Sequence, residues 1–142
     1  MPLALVLFFT MFVYSGVEKV RRFSQKTRVL QKKISDLIPG WPQCLSAAGM
    51  AGVVALEIVG SAVVVAAMVS GTAVARRIAR AVVWVYVAFV VVVTMLYHPP
   101  SRAKPVAFLS NLTTLGGFLL IVHILDVEST LPASRGGTPV QM

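Results

Sequence analysis

Charged residues are scarce in this chain, and their scarcity excludes most soluble folds. Of its 142 residues only 13% are charged, while 57% are hydrophobic. Soluble globular proteins carry about 25% charged and roughly 45–50% apolar residues. A soluble domain of this length could not bury so much apolar surface, so lipid is the expected solvent. The length predicts one domain.

Residues that carry metal or nucleophilic chemistry are also rare. Cys44 is the single cysteine, which excludes an internal disulfide and any multi-cysteine metal site. The sequence contains no nucleophile triad, phosphate-binding loop or metal-ligand cluster. These absences predict a chain with no independent catalytic activity and no evident cofactor or metal.

Acidic residues number five against 13 lysines and arginines, which gives a net charge of +8. Such a balance often indicates a nucleic-acid-binding protein. Here the basic residues occupy short segments between apolar runs, where they are placed to contact anionic lipid headgroups. We therefore expect a bilayer with anionic headgroups as the partner, and no nucleic acid.

Long apolar runs are what the sequence does contain. A helix needs about 20 apolar residues to cross a bilayer, and the runs do not alternate apolar and polar residues as barrel strands do. They predict an all-α membrane protein, a bundle of four transmembrane helices. The predicted domain covers residues 1–128 and a polar, disordered tail covers residues 129–142. The four predicted spans are residues 2–20, 45–69, 78–97 and 105–125.

The segment between the first two spans has the pattern of an amphipathic helix. Apolar residues recur at helical spacing from Val20 to Leu37, which predicts a basic helix over residues 20–38 that lies in the membrane interface. A soluble helix that binds a partner protein is the alternative. The basic residues expected to contact lipid headgroups are Arg21, Arg22, Lys26, Arg28, Lys32 and Lys33.

The distribution of basic residues also predicts an orientation. Short connections make neighbouring helices antiparallel, so the first and third connections lie on one side of the membrane. Those two connections hold most of the lysines and arginines, which favours the cytoplasm, or the matrix of an organelle, for that side. Both chain termini then face the opposite side. A bacterial inner membrane and an organellar membrane such as the mitochondrial inner membrane both fit.

Glu57 is the one ionisable residue in the middle of an apolar run. A carboxylate in hydrocarbon must be protonated or paired. Intramembrane acids are candidate functional sites, and the alternative is a glutamate that only links helices. Lys19 reaches it only if the first helix is tilted, and Glu18 is the more expected partner of Lys19 or Arg22. The other candidate partners are Tyr14, Ser15, Tyr86, Thr94, Asn111, Thr113 and Thr114.

Glycines and histidines complete the set of candidates. Gly60, Gly116 and Gly117 are expected at helix contacts, because small residues let helix backbones approach closely. His98, at the end of the third span, is either an interfacial cap or a proton relay. His123 lies near the other end of the fourth span, so the two histidines cannot ligate one haem.

Three segments resemble the DoxX family of small membrane proteins. They are FTMFVYSGVEKV, LEIVGS and LYHPPSRAKPVAFLSNLTTLGGFLLI, which follow one another in the family's order between Phe9 and Leu120. The resemblance implies a four-helix membrane bundle and draws attention to Glu18, Lys19, Glu57, His98 and Asn111. The basic segment here is longer and more charged than that of a minimal family member, which indicates docking to anionic lipid or to a partner.

The resemblance implies a setting rather than an activity. The family takes its name from a small subunit associated with a quinol oxidase, and relatives are linked to thiosulfate–quinone chemistry, redox-stress complexes and cargo receptors. The leading hypothesis is an accessory or structural subunit of a larger membrane complex. A quinone-linked redox component is the second, with Glu57, Asn111 and His98 as ligands or proton relay. A small transporter or cargo-binding protein that uses Glu57 is the third.

Overall fold

A computed structural model describes residues 2–97 and 105–130, and all the regular secondary structure in these residues is helical. A π-helical turn, Leu56–Gly60, joins α3 to α4 without a break, so these three elements form one long helix. The α-helices are α1 (Pro2–Arg21), α2 (Phe23–Leu37), α3 (Gln43–Ala55), α4 (Ser61–Ser70), α5 (Ala73–Tyr97) and α6 (Pro105–Thr130).

Four helices within the described residues are long and apolar enough to cross a membrane. The chain is therefore an integral membrane protein of the all-α class, as the sequence predicts. These helices are Leu3–Arg21, Gln43–Ser70, Ala73–Tyr97 and Pro105–Val127. The connection between the second and third is only two residues long, because Gly71 adopts a left-handed conformation (φ 66°) that ends α4.

The helix bounds differ from the predicted spans at two places. The third helix begins at Ala73 rather than 78, because Arg76 and Arg77 continue the helix before its apolar part starts. The fourth helix continues to Thr130, beyond the predicted end at 125 and into the first residues of the predicted tail. The remainder of that tail lies outside the described residues.

A cluster of aromatic rings holds α1, α5 and α6 together. The ring of Tyr86 stacks on Phe118 with a centroid distance of 4.8 Å, and Phe12 meets both rings at 5.2 Å. Phe9 and Phe118 are almost completely buried. Since lipid supplies no hydrophobic force between helices, this close packing is what holds the helices against one another.

Helices α1 and α2 pack in succession along the second spanning helix and antiparallel to it. A Cβ built on Gly16 would meet Ile58, Lys19 contacts Glu57, and further along the chain Leu30 lies beside Gly49. The only break between α1 and α2 is at Arg22, whose backbone (φ −116°, ψ 32°) leaves the helical region. The predicted amphipathic helix is present, and its buried side packs lengthwise on α3.

Candidate functional site

The polar cluster around Glu57 lies in the middle of the second spanning helix. Glu57 is 3% exposed, and both of its carboxylate oxygens accept hydrogen bonds from the Lys19 ammonium, at 2.7 and 2.8 Å. The same ammonium donates to the Ser15 hydroxyl at 2.6 Å, and that hydroxyl donates to a Glu57 oxygen at 3.3 Å. The carboxylate is thus paired within the chain.

The donors of this cluster are fully used. An ammonium has three hydrogens, and the three bonds of Lys19 go to two oxygens of Glu57 and one of Ser15. The Ser15 hydroxyl donates its single hydrogen to the carboxylate. No donor is left over to hold a substrate or cofactor while the pair is intact. The geometry is therefore that of a link between α1 and the second spanning helix.

The pairing follows from helix length. The second spanning helix has 28 residues, whereas the first candidate span has 19, so the end of α1 falls beside the middle of its neighbour. Lys19, close to the end of α1, thereby reaches the depth of Glu57. Glu18 points elsewhere and forms a surface ion pair with Arg22 at 2.8 Å, which is the arrangement expected between those two residues.

The π-helical turn supplies a second group of polar contacts directly beside the carboxylate. Tyr86, fully buried on α5, donates to the backbone oxygen of Leu56 at 2.7 Å and lies 2.8 Å from the Ser61 hydroxyl. Ser61 in turn donates to the Glu57 backbone oxygen at 2.6 Å. The two hydroxyls supply two hydrogens for these three short contacts, so at any moment one contact has no hydrogen between its two oxygens.

The turn itself has a recognisable cause. A π-helical turn inserts an extra residue into an α-helix and disturbs the regular backbone ladder. Here the side-chain hydroxyls of Tyr86 and Ser61 reach the carbonyls of Leu56 and Glu57. The contacts tie α5 to the second spanning helix at the level where α1 is tied by Lys19. Three spanning helices therefore meet around one turn.

Two of the three glycines predicted at helix contacts occupy such contacts. A Cβ on Gly60 would lie 3.2–3.4 Å from Leu56 and Tyr86, and one on Gly117 would lie 2.9 Å from the ring of Phe8. Gly116 differs, because nothing lies within 4 Å of its Cβ position and it is exposed on the outer side of α6. It forms no helix contact with any other described residue.

Asn111 is separate from the Glu57 cluster. It precedes Phe118 by seven residues, about 10 Å along the helix axis, and Phe118 is the residue of α6 that stacks on Tyr86. Its side-chain nitrogen is buried and has no hydrogen-bond partner in the described part of the chain. His98, the third predicted ligand or relay residue, lies outside the described residues.

The other candidate partners of Glu57 bond elsewhere. The hydroxyls of Thr94, Thr113 and Thr114 each donate to a backbone carbonyl of their own helix. Tyr14 is 72% exposed on the opposite side of α1 from the cluster's core. Of the predicted partners, Ser15 and Lys19 contact the carboxylate, and Tyr86 approaches through the backbone of the same turn.

Gly16 and Ser61 make important contacts between helices, although neither is a candidate site residue from the sequence. A Cβ on Gly16 would lie 2.7 Å from a side-chain carbon of Ile58 and 3.2 Å from the Cβ of Glu57, so the glycine permits the approach that joins Lys19 to the carboxylate. The sequence feature that could have identified Gly16 is its position directly after Ser15 and three residues before Lys19.

Most of the basic residues of α2 and its junction with α1 have no side-chain partner among the residues that the structure describes. Arg22 pairs with Glu18. Among the described residues no ion pair or side-chain hydrogen bond involves Arg21, Lys26, Arg28, Lys32 or Lys33, all of which are exposed.

Comparisons with known proteins add no relative. No protein-family model matches the chain, and neither curated proteins nor solved structures yielded a match. No group of three or more potential metal ligands occurs among the described residues.

Proposed function

We propose that this chain is a DoxX-like accessory subunit, with a structural role in a larger membrane complex. The closed Glu57 cluster carries the proposal. An intramembrane acid that served a substrate would need free hydrogen-bonding capacity around it, whereas the three ammonium hydrogens of Lys19 all go to Glu57 and Ser15. The cluster holds α1 against the second spanning helix.

The outer side of α6 supports the second half of the proposal. Leu109 and Leu120 are more than half exposed, and Gly116 lies between them with open space around it. Helices in membranes associate by close packing at small residues. A glycine with open space around its Cβ position in the described part of the chain is placed to contact a helix of another subunit. We propose a respiratory complex of a bacterial inner membrane or of an organellar membrane as the setting.

Purification from native membranes in a gentle detergent tests this proposal. The expected result is a stoichiometric set of larger membrane proteins, identified by mass spectrometry, that accompanies the chain. A matched pair of variants, Gly116→Val and Gly52→Val, separates a specific α6 contact from a general effect, since both glycines have open space at Cβ. Partner yield falls with Gly116→Val alone. A chain that purifies alone under all conditions contradicts the proposal.

A quinone-linked role is the second candidate, and Asn111 is the observation that favours it. Its buried side-chain nitrogen lacks a partner in the described residues and could donate to a quinone oxygen. A headgroup bound there is expected to use Asn111 without Glu57, because about two helical turns separate Asn111 from the level of the cluster. Binding of a quinone analogue that Asn111→Leu abolishes and Glu57→Gln leaves unchanged would support this role.

A further inference from the structure

One side of α2 packs against α3 and is partly covered by it. Thr27 and Ser46 are buried between α2 and α3, and Leu30 lies 3.8 Å from the Cβ position of Gly49. Gln31 bonds to both Ser46 and the backbone of Trp41, which anchors the turn between the helices. Inserting this side of α2 into lipid would require separating it from α3.

The position of α2 along the second spanning helix places it at a membrane surface. That helix has 28 residues, and at 1.5 Å per residue it is about 12 Å longer than a hydrocarbon core of roughly 30 Å. The excess length allows one end to project. The Gln43 end is flanked by the cations of α2, which hydrocarbon does not solvate, so this is the end that leaves the bilayer. The α2–α3 hairpin then rises through the headgroup layer.

The unpaired cations form two rows along α2 rather than one face. At 3.6 residues per turn, Lys26 and Lys33 lie on one flank, and Arg28 and Lys32 lie about 120° around the helix on the other. The α3 side of α2 separates the two rows on the inside, and Val29, which is 46% exposed, lies between them on the outside. A partner protein docked on one face would neutralise one row. Mobile lipids around an upright helix reach both.

We propose that α2 binds a shell of anionic phospholipids, whose phosphate-bearing headgroups pair with both rows of cations. The attraction is electrostatic and involves no insertion of α2, in contrast to an amphipathic helix that lies in the interface. Polybasic segments next to spanning helices bind anionic lipids by charge in this way. The shell holds the hairpin at its level in the headgroup layer.

The test uses the full chain in vesicles of phosphatidylcholine with a minor fraction of phosphatidylglycerol. Spin-labelled phosphatidylglycerol and phosphatidylcholine report, in separate samples, the fraction of each lipid immobilised by the protein. The expected result is an excess of phosphatidylglycerol. Raising the salt from 0.1 to 1 M shortens the Debye length from about 10 Å to about 3 Å, which should remove most of that excess.

Two double variants separate the rows, with two charges removed in each. Lys26→Gln with Lys33→Gln, and Arg28→Gln with Lys32→Gln, should each lower the excess to roughly half, because each cation near the surface contributes similarly. The control, Lys26→Arg with Lys33→Arg, keeps the charge and should keep the excess. Circular dichroism verifies that the variants remain helical.

Three results would overturn the proposal. The first is no phosphatidylglycerol excess in the unaltered chain, which would assign the cations to an acidic partner protein. The second is an excess that depends on one row alone, and the third is an excess that salt does not weaken. Since lipid selectivity is measured on the isolated chain, its failure is distinguishable from failure of the subunit proposal, which is judged by partners from native membranes.

Discussion

Glu57 illustrates at the scale of single residues how a carboxylate is accommodated in a membrane. Its two oxygens accept from Lys19, and Ser15 completes the arrangement. Removing one partner of a buried ion pair leaves a charge without compensation, whereas replacing both with apolar residues of similar volume is often nearly neutral. The pair therefore stabilises the register of α1 against its neighbour only while both members are present.

A double-mutant cycle on this pair should show strong coupling. We expect Lys19→Met and Glu57→Met each to lower the free energy of unfolding, and the double variant to cost less than the sum of the two. A coupling free energy of roughly 1–3 kcal/mol is expected for contacting residues of one network. Unfolding by dodecyl sulfate in mixed micelles measures it. Strict additivity would contradict the pairing.

Tyr86 should contribute to stability through its hydroxyl as well as its ring. Tyr86→Phe keeps the stacking on Phe118 but removes the hydroxyl that meets Leu56 and Ser61. The expected loss is about 1 kcal/mol in the free energy of unfolding, the typical net value of a hydrogen bond. Tyr14→Phe is the matched control, because Tyr14 is 72% exposed. Equal effects of the two variants would mean that the buried hydroxyl contributes nothing.

At the scale of helices, close approach depends on which glycine faces inward. Gly116 and Gly117 are neighbours in the same helix, and either one predicts a contact by composition alone. The rotation of about 100° between consecutive residues puts Gly117 against Phe8 and leaves Gly116 outside. The sequence identifies the glycine pair, but only the orientation of α6 distinguishes its members.

The two glycines should respond differently to the same substitution. Gly117→Val places a side chain within the space of Phe8, and overpacking of this kind costs about 1–3 kcal/mol. Gly116→Val changes helix propensity in the same way but meets no neighbour. Comparing the two variants in the same unfolding assay cancels the contribution of helix propensity to the difference in their free energies of unfolding. If they are equally stable, α6 is rotated relative to the arrangement described here.

For the whole molecule, the antiparallel order of the helices fixes which segments share a side of the membrane. The turn before α3, the end of α5 and the start of α6 lie at one end of the bundle, and the connection from α4 to α5 lies at the other. The basic residues accumulate at the first of these ends. The positive-inside rule predicts that this end faces the cytoplasm or the matrix.

The single cysteine provides the first of two label sites with which this topology can be measured. Cys44 is exposed at the start of α3, and a membrane-impermeant maleimide should modify it from the cytoplasmic or matrix side only. In a Cys44→Ser background, Ala73→Cys at the start of α5 should react from the opposite side. Modification of both positions from the same side would exclude the antiparallel arrangement.

Sequence alone determined the class of fold, because each spanning helix reflects local composition: an apolar run of sufficient length must be helical in lipid, whatever surrounds it. It also located the glutamate, the amphipathic helix, Gly60 and the Gly116–Gly117 pair. The tertiary structure decided what depends on register and rotation. The greater length of the second helix puts Lys19 beside Glu57, and the antiparallel path of α2 places Thr27 and Leu30 on its α3 side. Both outcomes arise from contacts between segments distant in the chain, which local patterns do not encode.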